Sequence, residues 1–176
     1  EIDREALATF YKTIRQAVEK GFRFVVVVGG GATEGLLQDE CLNSGLNNVK
    51  FLGLFSMKDT SEIVNLSDVS IISFKDLPIL YTNSPNKLFD SFSAGKPIIV
   101  NSAGWTKEMV ELHNCGFYAN PNYPHELVEK IKYLQSYPVK AKSMGDNARK
   151  LAEEVYDKSI LSRRFISVIE SIYISN

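Results

Sequence analysis

Helix-period and continuous apolar segments alternate along the chain. Residues 4–20 place Leu7, Phe10, Tyr11, Ile14 and Val18 on one face at helical spacing. Asp3 can cap the start of that helix and Gly21 its end. Residues 22–28 then form an apolar run rich in β-branched side chains, with no polar alternation after Arg23. Such a run predicts a strand buried on both faces, which points to a parallel sheet. Gly29-Gly30-Gly31 breaks it, and a helix is predicted over 33–44, closed by Gly45. A strand follows over 49–54, and then a helix over 56–66 with Ser56 and Asp59 placed as a capping box. The pattern continues with a strand over 69–74, a long loop over 75–84, a helix over 85–94 and a strand over 98–101. A helix over 105–114 and a short strand over 116–119 come next, and helices over 124–135, 139–155 and 158–174 close the chain.

This βαβα order predicts a doubly wound, Rossmann-like α/β domain: a parallel sheet with right-handed crossovers and helices on both faces. Residues 1–176 read as one domain, without internal repeat, low-complexity tract or linker. The chain opens on an amphipathic helix where such domains commonly open on a strand, so the first strand is expected upstream. The last helix carries a wide apolar stripe of Leu161, Phe165, Val168, Ile169, Ile172 and Tyr173, widened by Ile160 and Ile166. That is broader than covering the sheet requires, so part of it is expected to be exposed or to meet a partner.

Composition narrows the function classes. Apolar residues make up 44% of the 176, enough for a globular core. With 20 basic and 21 acidic residues the net charge is −1, which gives no electrostatic reason to expect nucleic acid as a partner. No apolar run approaches the roughly 18 residues of a membrane span, and no signal-peptide pattern is present. Cys41 and Cys115 have no CxxC neighbour, and with only His113 and His125 beside them no zinc site is expected. Both cysteines read as reduced core residues of a cytoplasmic protein, and the two histidines as surface or capping residues.

In an open parallel sheet, ligands bind at the carboxyl ends of the strands. Three segments there are polar or rich in small residues. Gly29-Gly30-Gly31-Ala32-Thr33 lets backbone approach a ligand and leads into a helix N-terminus suited to an anion. It does not fit the dinucleotide-binding GxGxxG: the sixth position is Glu34, and Gly35 comes one residue late. A plain strand-to-helix turn is the other reading. In the second segment, 82–90, Ser84 is a natural N-cap and Pro85 suits the first helical turn. The N–H groups of Asn86 and Lys87 would face an anion, Lys87 adds a positive charge, and Asp90 follows by three residues on the same face. A diphosphate could sit on the helix end and Lys87 while Asp90 accepts from a ribose diol; the alternative is a surface ion pair between Lys87 and Asp90. The third segment, Ser102-Ala103-Gly104-Trp105, is either a close-approach loop or a turn with Trp105 packed on the sheet. No triad, metal cluster or paired carboxylate emerges.

Several of these segments together resemble a known family. Val26-Val27-Val28-Gly29-Gly30-Gly31, then Val49-Lys50-Phe51-Leu52-Gly53, then Leu66-Ser67-Asp68-Val69 occur in that order. They are followed by Leu88-Phe89-Asp90-Ser91-Phe92-Ser93-Ala94-Gly95-Lys96-Pro97-Ile98-Ile99-Val100, by Cys115-Gly116-Phe117-Tyr118-Ala119-Asn120-Pro121, and by Met144-Gly145-Asp146-Asn147-Ala148-Arg149. The set resembles the C-terminal domain of glycosyltransferase family 4, from about residue 7 onward. The resemblance implies the two-domain GT-B architecture, in which this half holds a nucleotide-sugar donor and the N-terminal domain of the same chain holds most of the acceptor.

Carried over by position, Gly30 and Gly31 border the donor and Leu54 and Phe55 hold the base. Ser84, Asn86 and Lys87 lie at the phosphate-binding helix start, and Asp90 replaces the family's second glutamate, which contacts the ribose. Eight positions earlier the family has another glutamate; here it is Thr82, so that contact to the donor sugar is not carried over. The Ser-Pro-Asn-Lys run instead resembles a subgroup from bacterial capsule and O-antigen clusters. The family's basic pair after the first strand is missing.

The implied activity is transfer of a hexosyl group, with retention, from a UDP-sugar to a saccharide or lipid-linked acceptor in surface polysaccharide biosynthesis, without cofactor or required metal. The implied location is cytoplasmic or peripheral at the inner membrane face. The catalytic residue is not identified, and this chain alone is expected to lack turnover. A GT-B sugar-nucleotide epimerase and a non-catalytic nucleotide-binding α/β module are the alternatives.

Overall fold

The computed structural model describes residues 26–28, 34–46, 48–51, 53, 56–74 and 76–174. The helix expected over 4–20, its caps Asp3 and Gly21, the glycine turn with Gly30 and Gly31, and Leu54 and Phe55 lie outside the described residues.

Parallel strands and helices alternate in the expected order: β1 (Val26–Val28), α1 (Glu34–Asn43), β2 (Val49–Phe51), α2 (Met57–Leu66), β3 (Ser70–Ile72), a 3-10 helix (Pro78–Thr82), α3 (Asn86–Ser93), β4 (Ile98–Val100), α4 (Trp105–Leu112), β5 (Gly116–Tyr118), α5 (Pro124–Ser136), α6 (Pro138–Glu154) and α7 (Lys158–Ile174). Every described pairing is parallel. β1 pairs with β2 in the register Val26 to Val49, while β4 lies between β3 and β5, with Ile98 opposite both Ser70 and Gly116. The described strands thus form two hydrogen-bonded groups.

β4 is the centre of the core and is buried throughout. Successive strand side chains face opposite sides of a sheet. Ile98 and Val100 therefore pack with Leu88 and Phe92 of α3, Val110 of α4 and Leu151 of α6, whereas Ile99 packs with Ala119 and Leu134 of α5. Helices on both faces of a parallel strand are the doubly wound arrangement. β2 is less enclosed, with Val49 buried and Lys50 exposed.

The punctuation follows local chemistry. After α1, Gly45 adopts φ +67°, its N–H reaching the Leu42 carbonyl, while Leu46 N–H reaches that of Cys41 at 2.9 Å. This is the left-handed closure that glycine permits. At the start of α2, Ser56 Oγ accepts from the Asp59 N–H at 3.2 Å and donates to Asp59 Oδ2 at 2.7 Å, as the spacing predicts.

Two expectations need correction. Residues 78–82 are a 3-10 helix within the predicted loop, initiated by Pro78 and held by the Leu80 N–H bond to the Leu77 carbonyl at 2.8 Å. α3 starts one residue later than predicted: Pro85, at φ −78° and ψ 133°, occupies the cap position itself, so Ser84 lies outside the helix and makes no capping bond. Proline's fixed φ is compatible with both positions; its extended ψ makes it the cap.

α7 shows the predicted broad stripe. Leu161, Phe165, Ile166, Val168, Ile169, Ile172 and Tyr173 are all exposed, from 41% at Ile169 to 82% at Tyr173. Among the described residues no helix is long and apolar enough to cross a membrane.

Candidate functional site

The carboxyl ends of β3 and β4 and the start of α3 converge. Phe74, two residues beyond β3, has no strand neighbour for its main chain. The Asn101 carboxamide takes that place: Oδ1 accepts from the Phe74 N–H at 2.7 Å, and Nδ2 donates to the Phe74 carbonyl at 2.8 Å. The ladder therefore stops at Ile72 and Val100, short of the predicted strand ends, because a side chain supplies the next pair of bonds.

Lys87, in the first turn of α3, leans onto this corner. Its Nζ lies 4.5 Å from the centre of the Phe74 ring and 3.4 Å from the Ser73 carbonyl oxygen, to which it donates. Its main-chain carbonyl accepts from the buried Ser91 hydroxyl at 2.7 Å, and Ser91 Oγ lies 2.6 Å from Ser70 Oγ at the start of β3. The helix is thus tied to the strand beneath Lys87. Although much of the lysine side chain is exposed, desolvation of its ammonium lowers its pKa from the ordinary lysine value.

The surface ion pair between Lys87 and Asp90 does not form: the Lys87 ammonium turns to Phe74 and has no ion pair with a carboxylate among the described residues. Asp90 is exposed one turn further on, and Ser84 and Asn86 are exposed at the helix start. First-turn N–H groups have no intrahelical acceptor, and at α3, where these belong to Asn86 and Lys87, no side chain caps the helix. Leu88 N–H is satisfied by the Pro85 carbonyl at 3.0 Å. The arrangement is a partly desolvated cation beside two main-chain donors at a helix N-terminus, all of which suit an anion. Of the sequence-predicted residues, Lys87 and the main chain of Asn86 share the first turn of α3, and Asp90 lies one turn further on.

The segment Ser102–Trp105 is used internally. Ser102 is buried and donates to the Leu80 carbonyl at 3.1 Å. A Cβ on Gly104 would lie 2.0 Å from the Tyr81 carbonyl oxygen. The close approach that small residues allow is therefore taken by the 3-10 helix. Trp105 opens α4 and packs 6.1 Å from Phe89, ring centre to ring centre.

Next to this contact, Asp76 gathers Tyr81 and Asn122: the Tyr81 hydroxyl donates to Oδ1 at 2.8 Å and Asn122 Nδ2 to Oδ2 at 3.0 Å. The hydrogen bond to Asp76 is the main reason the Tyr81 pKa is raised. Sequence reasoning missed both this group and Asn101.

The remaining candidates for chemistry stand apart. His113 caps the end of α4, and exposed His125 stacks edge-on at 5.9 Å from Tyr123. Cys41 and Cys115 are buried, and burial pushes the Cys115 thiol up to about 11. Among the described residues no three His, Cys, Asp or Glu side chains are grouped to hold a metal.

Comparison with known proteins agrees with the fold and order of elements. Residues 5–151 match the model of the family described as glycosyl transferases group 1. The D-rhamnosyltransferase WbpZ of Pseudomonas aeruginosa is 27% identical over 125 residues, 70% of this chain and 32% of that protein. Sucrose-phosphate synthase from Thermosynechococcus elongatus superposes with a TM-score of 0.79 at 14% identity, over 99% of this chain and 44% of that one. HepE of Anabaena, solved in complex with UDP-glucose, superposes with a TM-score of 0.74 at 21% identity, over 91% and 44%. The chain spans about a third of the length of the curated relatives it matches. The fold is that of GT-B glycosyltransferase C-terminal domains.

Proposed function

Because this chain belongs to the group 1 glycosyl transferases, we propose that the start of α3 holds the diphosphate of a UDP-sugar donor. The observation that carries this reading is the Lys87 ammonium: a cation seated at a helix N-terminus, partly desolvated, with no carboxylate neighbour among the described residues. The UDP-glucose complex of HepE supports uracil as the base.

In this reading Lys87 and the N–H groups of Asn86 and Lys87 bind the phosphates, with Ser84 beside them. Asp90 accepts hydrogen bonds from the ribose hydroxyls. Gly30 and Gly31 border the donor, and Leu54 and Phe55 hold the base. As the bond from the anomeric carbon to the diphosphate oxygen breaks, UDP leaves with the electron pair, an acceptor hydroxyl oxygen forms the new bond to that carbon, and the hydroxyl proton passes to the departing diphosphate. The negative charge that grows on the diphosphate meets a fixed cation and a helix end, which stabilises the transition state more than the ground state.

The transferred group is a hexosyl unit, passed with retention to a saccharide or lipid-linked acceptor in surface polysaccharide assembly, peripheral to the inner membrane face. The similarity to WbpZ supports a saccharide product. An N-terminal domain of the intact enzyme supplies the acceptor site, and the apolar stripe of α7 packs against it. A donor screen of the intact enzyme tests the reading: transfer or hydrolysis from UDP-sugars is expected, and turnover of another nucleotide's sugars with none from UDP-sugars would overturn the donor assignment.

A further inference from the structure

We propose that Asn101 is a positioning residue for the Lys87 ammonium and acts through Phe74; the inference rests on the reading of Lys87 as a diphosphate ligand.

Three observations meet at Phe74. First, both main-chain polar groups of Phe74 bond to one side chain, the Asn101 carboxamide, at 2.7 and 2.8 Å. A planar amide offers one donor edge and one acceptor edge, so this pair of bonds sets the tilt of the Phe74 backbone as well as its position. Only a carboxamide does both: an aspartate lacks the donor and an alanine lacks both. Second, Asn101 is itself fixed, because its N–H bonds to the Ile72 carbonyl at 3.3 Å and it directly follows the buried strand β4. The clamp therefore transmits the position of the rigid sheet to a residue beyond the end of the strand.

Third, the Phe74 ring is the platform under Lys87 Nζ at 4.5 Å, and the adjoining Ser73 carbonyl accepts from it at 3.4 Å. An ammonium has three donors. One long contact to a carbonyl and one ring face leave donors for an incoming anion. A lysine stem is flexible and ordering it costs entropy. A platform that holds the ammonium before the ligand arrives reduces that cost at binding. Asn101 touches no ligand in this arrangement; its effect on a diphosphate passes through Phe74 and Lys87.

The test is a set of titrations of the intact enzyme with UDP and with uridine, using Asn101→Ala, Phe74→Leu, Phe74→Tyr, Lys87→Ala and the Asn101→Ala/Lys87→Ala double variant. Asn101→Ala and Phe74→Leu are each expected to weaken UDP about fivefold to tenfold, the size of coupling seen between contacting residues, and uridine less than about twofold. Phe74→Tyr keeps the ring and is expected to stay within about twofold of wild type for both ligands. In the Lys87→Ala background, Asn101→Ala is expected to add less than about twofold for UDP.

Equal weakening of UDP and uridine by Asn101→Ala would overturn the proposal, as would a full additional loss in the Lys87→Ala background, since either means general support of the fold. Should Asn101→Ala fail to fold, Phe74→Leu against Phe74→Tyr decides: equal UDP affinity in the two overturns it. If Lys87→Ala alone leaves UDP binding unchanged, the diphosphate reading itself falls; if that substitution weakens UDP and Asn101→Ala is additive, only the positioning role falls.

Discussion

Gly145 of α6 meets Gly95, just beyond α3, backbone to backbone: a Cβ on Gly145 would stand 2.2 Å from the Gly95 carbonyl oxygen. The contact sets how closely the helix that carries Lys87 approaches α6, and Gly95 adds a φ of +64° that suits glycine. In an open helix, Gly→Ala stabilises by about 1 kcal/mol. Here the obstacle is main chain and cannot rotate aside. Gly145→Ala is expected to destabilise by about 1–3 kcal/mol, the usual cost of overpacking, read as a lower melting temperature. An unchanged or raised melting temperature would show that α3 and α6 separate at no cost.

Lys87 and Asp90 are expected to act on different parts of one ligand. Lys87→Ala should weaken UDP and UDP-sugar and scarcely affect uridine, whereas Asp90→Asn should weaken all three. Hydrogen bonds to charged groups correspond to losses of about tenfold to a hundredfold. Titration of the intact enzyme with the three ligands checks this. If Lys87→Ala weakened uridine as much as UDP, its assignment to the phosphates would be wrong, and changes below about twofold from both substitutions would remove the site.

The lowered pKa of Lys87 gives the proposed diphosphate site a pH dependence of definite sign. A lysine whose folded pKa lies below its unfolded value binds fewer protons when folded, so the unliganded protein gains stability as pH rises from the folded pKa to the usual 10.5. Over the same rise the site loses its cation, at lower pH than an ordinary lysine would. The UDP affinity of wild type relative to Lys87→Arg, whose guanidinium stays charged, is therefore expected to fall before pH 10.5. Taking the ratio removes titration of the base from the comparison. A ratio flat up to that pH would contradict the prediction.

The apolar face of α7 should behave as a sticky surface when this chain is studied by itself. Seven large apolar side chains are exposed along it, where isolated ones would be unremarkable and a contiguous stripe marks a contact. The separate chain is expected to self-associate or bind a hydrophobic dye, and the pair Phe165→Ser and Ile172→Ser to reduce both while leaving the melting temperature nearly unchanged. A monomer that binds no dye would show that the stripe needs no cover.

Apolar spacing, caps and glycine breaks together locate α1 to α7: α1 is closed by Gly45, α2 buries no side chain and is marked by its Ser56–Asp59 cap, and α7 carries an exposed apolar stripe. β4 is equally legible: Ile98-Ile99-Val100 is continuous and apolar because both its faces are covered. The 3-10 helix is not, since Pro78-Ile79-Leu80-Tyr81-Thr82 is too short to show a period and is held by contacts to Ser102 and Gly104 more than twenty residues away. Ser84 misleads because serine before proline is a common helix start, yet proline at the cap displaces it. Lys87 and Asp90 are visible as a charged pair near a helix start, but their separation is not: the ring that draws Lys87 away belongs to Phe74, in the segment after β3. Asn101 leaves no local trace, for its bonds to Phe74 span 27 residues.

The meeting of Gly104 with the Tyr81 carbonyl bears on how this scaffold can be re-engineered. With Ser102 bonded to Leu80 and no room for a side chain at Gly104, segments 76–82 and 101–105 form one interlocked cassette at the rim of the sheet. A loop transplanted from a relative into either segment alone would meet a surface shaped for its former neighbour. Swaps in this region should therefore exchange both segments as a unit, and libraries that randomise one of them should keep glycine at position 104 unless the opposing 3-10 turn is varied too.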